Sequence, residues 1–96
     1  MRKSNTQPIG EVLKEYLKTL KISTRLKEMH VVNHWEELMG KAVANRTRSV
    51  YIKNRTLFVY LKSSVLRNEL TMMRQAIMDK LNEQAGEKII DKIVIR

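Results

Sequence analysis

Tyr51, Phe58 and Tyr60 stand among Lys53, Lys62, Arg46, Arg48, Arg55 and Arg67, in a stretch from Glu37 to Glu69 that holds no acid between those two glutamates. Aromatic rings interleaved with bases can do one kind of chemistry well. The rings stack on nucleobases while the cations track phosphates. The whole chain agrees in sign: 19 Lys and Arg against 10 Asp and Glu give a formal charge of +9 over 96 residues. Such a charge attracts polyanions by counterion release and long-range steering. The excess is concentrated mid-chain, since residues 69–96 carry five bases and five acids. Arg46, Arg48, Lys53, Arg55, Lys62 and Arg67 are therefore the candidate phosphate contacts, and Tyr51, Phe58 and Tyr60 the candidate stacking residues. A second use of the same rings, packing against another subunit or a partner protein, stays open at this point.

Other chemistries are poorly supplied. The chain has no cysteine, which removes disulfides, thiolate nucleophiles and Cys-type zinc sites. Its three glycines, Gly10, Gly40 and Gly86, form no phosphate-cradling loop. The aspartates are Asp79 and Asp91 alone, so no paired-carboxylate acid–base centre is expected and the reading is non-enzymatic. His30 and His34 share a helix face at i, i+4, but further ligands are wanting, and no metal, cofactor or small-molecule substrate is expected. There is no apolar run near the length of a membrane span and no apolar core of a signal peptide near the start. A cytoplasmic protein without a membrane partner is the expectation.

The elements that position these residues follow from periodicity. Ile9, Val12, Leu13, Tyr16, Leu17 and Leu20 recur at helical spacing, with Pro8 placed to open the helix. A break is expected near Lys21–Ser23, with Ser23 or Thr24 capping a second helix whose apolar stripe is Leu26, Met29, Val32, Trp35, Leu38 and Met39, stopped at Gly40. A short helical turn covers Lys41–Thr47. From Arg48 the period becomes two: Val50 and Ile52, then Leu57, Val59 and Leu61, alternate with Tyr51, Phe58 and Tyr60, around a turn at Asn54-Arg55. Ser63 or Ser64 should cap a long helix with Leu66, Leu70, Met73, Ile77 and Leu81 inward, ended by Gly86. Lys88–Arg96 reads as a third strand. The sum is one α+β domain over 1–96, residues 1–7 disordered, in the order α-α-β-β-α-β: a two-layer fold with a three-stranded sheet and helices on one face. Trp35 is expected in the core.

Several of these segments together resemble a known family. They are Trp35-Glu-Glu-Leu-Met-Gly40, the turn at Ala44-Asn-Arg-Thr47, the hairpin strand Asn54-Arg-Thr-Leu-Phe-Val-Tyr-Leu-Lys-Ser-Ser64, Asn68-Glu-Leu70, and Leu81-Asn-Glu-Gln-Ala-Gly86. They resemble the DciA-like family of bacterial proteins, long catalogued as a domain of unknown function. The resemblance runs from about Ile9 to Arg96. It implies a KH-like fold, DNA binding, and a role in loading or assisting the replicative helicase, which would be the protein partner. The Gly-x-x-Gly loop with which a KH domain clamps a nucleic-acid backbone is absent here. DNA is favoured over RNA as the nucleic acid; a KH-like RNA-binding module and a protein-interaction adaptor are the alternatives.

Overall fold

A computed structural model of the chain describes residues 9–96; the expectations for residues 1–7 and for Pro8 fall outside the described residues. Helix α1 runs over Ile9–Asn33, followed by two single-turn helices, α2 (Trp35–Met39) and α3 (Lys41–Asn45). Strands β1 (Thr47–Lys53) and β2 (Thr56–Leu61) follow, then α4 (Ser64–Met72), α5 (Arg74–Ala85) and β3 (Lys92–Ile95). The sheet order is β1-β2-β3, with β1 and β2 antiparallel and β3 parallel to β2. The α+β class, the order of elements and the three-stranded sheet agree with the sequence reading.

The hairpin forms where the alternation places it. Asn54 and Arg55 have φ of 51° and 61°, the double left-handed conformation of a two-residue type I′ turn. Asn accepts that conformation readily; Arg does so less readily. Arg55 is held there from both sides: its Nε donates to Asp91 Oδ2 at 3.0 Å, and the Asp91 N–H donates to the Arg55 carbonyl at 2.9 Å. The turn thus ties the hairpin tip to the approach to β3.

Along β2, Leu57, Val59 and Leu61 are buried while Phe58 and Tyr60 are half-buried on the opposite face. The core joins them to Val31 of α1, Trp35 and Leu38 of α2, Leu70 of α4, Ile77 and Leu81 of α5, and Ile93 of β3. Trp35 is 5% exposed, as expected of a core anchor. Ser63 caps α4 by accepting from the Leu66 N–H at 3.2 Å. Gly86 ends α5 in the left-handed region at φ 80°, where a Cβ would be strained.

Helix boundaries differ from the expectation in three places. The smallest is that the turn expected over Lys41–Thr47 ends at Asn45, because Thr47 already pairs with Leu61 as the first residue of β1. The chain does not break at Lys21–Ser23; α1 continues to Asn33 and the break comes at His34. Ser23 and Thr24 are good caps but only mildly unfavourable inside a helix, and no Gly or Pro interrupts the run. As a result Leu26 and Met29 are exposed, and Val31 occupies the core position. A further difference is at Met73, with φ −109° and ψ 17°, which separates α4 from α5. Met73 is 51% exposed rather than inward, and the core stripe passes directly from Leu70 to Ile77.

The last strand is also shorter than Lys88–Arg96. Ile89 and Ile90 are fully buried outside any strand. Asn82 explains how: its Oδ1 accepts from both the Ile89 and Ile90 N–H groups at 2.9 Å, and its Nδ2 donates to the Ile90 carbonyl at 2.9 Å. One side chain thus satisfies three backbone groups of a buried irregular segment. Asn82→Ala should therefore cost about 2–4 kcal/mol, because it leaves buried donors without partners. Chemical denaturation should show the loss as a lower midpoint at unchanged slope; a change below about 0.5 kcal/mol, the range of ordinary surface substitutions, would contradict this account.

Candidate nucleic-acid interface

The face of the sheet turned away from the core is built in rows by the strand register. Lys53 pairs with Thr56 and Thr56 with Lys92, forming a row at the hairpin end. The next row is Tyr51, Phe58 and Val94. The third is Ser49 and Tyr60, with Arg96 beside them: the Arg96 N–H donates to the Val59 carbonyl at 2.9 Å, and the Leu61 N–H donates to the Arg96 carbonyl at 2.7 Å. Two sheet positions advance about 7 Å, so the aromatic rows lie between a basic row and a basic rim.

The three rings form one surface. Tyr51 stacks on Phe58 with centroids 4.9 Å apart and planes at 17°, and on Tyr60 at 6.1 Å and 19°. Tyr51 is 42% exposed. Hydrogen bonding with Tyr60, then desolvation and the Tyr60 charge, raises the Tyr51 pKa above the ordinary phenol value, against a lowering influence from Arg96. The phenol therefore stays neutral at physiological pH and adds no anion to this basic face.

The candidate bases divide between the two ends of the sheet. Arg46, Arg48, Lys62 and Arg67 lie where β1 begins, β2 ends and α4 starts; the Lys62 N–H donates to the Arg46 carbonyl at 2.8 Å. A register irregularity between Thr47 and Ser49 lifts Arg48 out of the ladder, as bulges do when they re-aim a side chain. Lys53 and Arg55 lie at the other end, about 20 Å away by strand rise. Arg46, Arg48, Lys53 and Lys62 are exposed. Arg46 Nη1 donates to the Ala42 carbonyl at 3.1 Å, so part of its guanidinium caps α3. Arg67 is half-buried, with an enclosed Nε that has no hydrogen-bond partner. Arg55 is the one candidate base in an ion pair among the described residues, with Asp91 at 3.0 Å. Its charge is locally balanced, whereas the opposite end of the sheet carries uncompensated charge.

Three bases outside the candidate set join the surface. Lys92 and Arg96 enter through the parallel pairing of β3 with β2, since alternation with the inward Ile93 and Ile95 turns both to this face. Arg25 enters through tertiary packing: with Glu28, Met29 and Val32 of α1 it lines a cleft against Tyr51 and Ile52. Nothing in local sequence pointed to it.

The His30 and His34 rings lie 4.1 Å apart, with His34 Nδ1 donating to the His30 carbonyl at 2.8 Å and Nε2 at 3.8 Å from Glu37. No group of three or more His, Cys, Asp or Glu that could hold a metal ion occurs among the described residues. No helix among them is long and apolar enough to cross a membrane. Between α2–α3 and α4–α5 lies an apolar groove of about 300 Å³, lined by Leu38, Met39, Val43, Leu66, Leu70 and Met73 among others.

Fold and surface together define an α+β module with a three-stranded sheet and an aromatic, basic sheet face. A family model described as "Dna[CI] antecedent, DciA" matches residues 8–95, and the chain belongs to that family. It is 35% identical over 65 residues to a UPF0232 protein of Corynebacterium glutamicum, an alignment covering 68% of this chain and 36% of that protein. It is 24% identical over 89 residues to UPF0232 proteins of Mycobacterium tuberculosis and Mycobacterium bovis, covering 93% of this chain and 48% of theirs. The chain thus spans between a third and a half of the length of these relatives.

Proposed function

We propose that this chain is a non-enzymatic, cytoplasmic DNA-binding accessory module of bacterial replication, which assists the loading or activity of the replicative helicase. The observation that carries the reading is the open sheet face, where Tyr51, Phe58 and Tyr60 form one stacked surface between Lys53 and Lys92 on one side and Arg96, Lys62, Arg46 and Arg48 on the other. Membership of the DciA family supports the connection to replication. DNA strands would lie across the strands of the sheet, bases on the rings and phosphates on the cationic rims.

The test is a titration of single-stranded DNA over a range of salt. With roughly four to six phosphates engaged, log K should fall with log salt at a slope near −0.7 per contact. Replacing Arg46, Arg48 and Lys62 together by Ala should flatten the slope by about 2 and leave the melting temperature nearly unchanged, since exposed charges contribute little to stability. A slope near zero for the wild type would remove nucleic acid from the account. Single-stranded RNA as competitor decides between the two nucleic acids.

A second reading, a protein-interaction adaptor, draws on the apolar groove and on Met73, which lines it and is 51% exposed. Capture of the helicase from a nuclease-treated lysate fits the loader reading. Recovery of nucleic-acid-binding proteins alone, lost on nuclease treatment, counts against it.

A further inference from the structure

The first half of α1 carries an exposed apolar stripe that contributes nothing to the core among the described residues. Ile9, Val12, Leu13, Tyr16, Leu17 and Leu20 are exposed by between 44% and 86%. Only the second half of the helix is anchored, by Val31 in the core and by Lys27 bridging Glu87 at 3.1 Å. The molecule is accordingly long, 66 × 20 × 19 Å. A row of six large apolar residues on a projecting helix is the signature of an interface.

We infer that the occupant of this stripe is the same stripe of a second copy, packed antiparallel. The first ground is the spacing, which reads identically in both directions. About a midpoint between Lys14 and Glu15, Ile9 mirrors Leu20, Val12 mirrors Leu17, and Leu13 mirrors Tyr16. A two-fold axis through that midpoint sets every apolar side chain level with an apolar side chain of the other copy, the self-complementarity an isologous interface requires. The second ground is steric. Leu17 lies fourteen residues, and Leu20 eleven, before Val31, so the stripe leads onto the helix face that carries Val31 into the body. In a parallel pair the partner's helix would run into α5 and the loop at Glu87. The antiparallel pair sets each body past Ile9 of the other copy's helix, clear of the described part of that helix. The third ground is charge: that arrangement holds two bodies, each chain at +9, at opposite ends and several Debye lengths apart. The fourth is area. At roughly 200 Å² for a whole large apolar residue, of which somewhat over half is exposed on average across these positions, two stripes offer on the order of 1,400 Å², within the range of stable interfaces.

Sedimentation of the full chain from low to high micromolar concentration should show a mass twice the 11.3 kDa of one chain. Leu13→Glu with Tyr16→Glu should return it to the single-chain mass, with the buried Trp35 still reporting a folded core. Since the chain has no cysteine, introduced thiols report the geometry. Ile9→Cys protein mixed with Leu20→Cys protein should form a disulfide-linked pair on oxidation, and neither should do so alone. Positions 9 and 20 of two antiparallel helices are level, whereas 9 and 9 are about 16 Å apart along the axis, beyond the reach of a disulfide. A wild-type chain at single-chain mass throughout, a dimer that persists in the glutamate variant, or cross-linking of Ile9→Cys protein by itself would each overturn the inference.

Discussion

Trp35→Ala should be the most damaging single substitution in the chain, at about 3–5 kcal/mol. The indole is 5% exposed at the meeting of α2, β1 and the core leucines. Its Nε1 donates to Thr47 Oγ1 at 3.0 Å, and the Thr47 hydroxyl donates to the Val43 carbonyl at 2.7 Å. The indole thus fastens α2 to the first residue of β1, whose hydroxyl in turn holds α3, as well as filling volume. Against a total stability of about 5–15 kcal/mol, the loss should lower the melting temperature by on the order of 15–30 °C. Trp35→Phe keeps much of the volume but leaves Thr47 without its donor, and should fall between the two. Because Arg46 and Arg48 flank Thr47, nucleic-acid affinity should fall with the folded fraction and not before it. A Trp35→Ala protein that melts with the wild type would show that the indole is no anchor.

Period-two alternation made the hairpin legible, because it was read twice, on either side of a residue that tolerates positive φ. A one-residue slip would have exposed Leu57, Val59 and Leu61 together, so the pattern admitted one register. The helices were less legible for a physical reason. Periodicity shows that a helix has an apolar face, but not what covers it. Ile9 to Leu20 have the same pattern whether they lie on a core or project from it. The break at Met73 was hidden because Met73 fits the stripe with Leu70 and Ile77, and only a backbone angle distinguishes interruption from continuity. Ile89 and Ile90 resembled strand residues because they are β-branched and buried; their burial depends on Asn82, seven and eight residues earlier.

The candidate surface was legible in composition and face, and less so in charge balance. Alternation alone places Phe58 and Tyr60 opposite the core. It cannot reveal that Arg55 spends its charge on Asp91, 36 residues later, because that pairing exists only once β3 lies parallel beside β2. Nor can it show that Arg67 points a nitrogen into the protein. Both follow from tertiary contacts between segments remote in sequence.

The aromatic surface makes the last and most discriminating prediction. Each ring that stacks on a base should be worth about 1–3 kcal/mol of single-strand affinity. Tyr51→Ala is the cleanest probe, since the ring is substantially exposed and its removal leaves Leu57, Val59 and Leu61 packed. Phe58→Ala and Tyr60→Ala should lose at least as much affinity, but each also removes a half-buried ring that Tyr51 rests on. Their binding must therefore be measured well below their melting temperatures. Salt separates stacking from attraction. Removing a base such as Lys62 should weaken binding at low salt and matter progressively less as salt rises, because the counterion contribution fades. Removing Tyr51 should cost the same factor at both ends of the salt range, since stacking releases no counterions. Sizing each variant beside the titration distinguishes a subunit contact from a stacking platform: a contact would change the mass and spare the low-salt affinity per subunit. Salt-independent losses at Tyr51, and at least as large at Phe58 and Tyr60, with unchanged mass are the expected result, and losses that vanish at high salt would leave these rings with no role in holding bases.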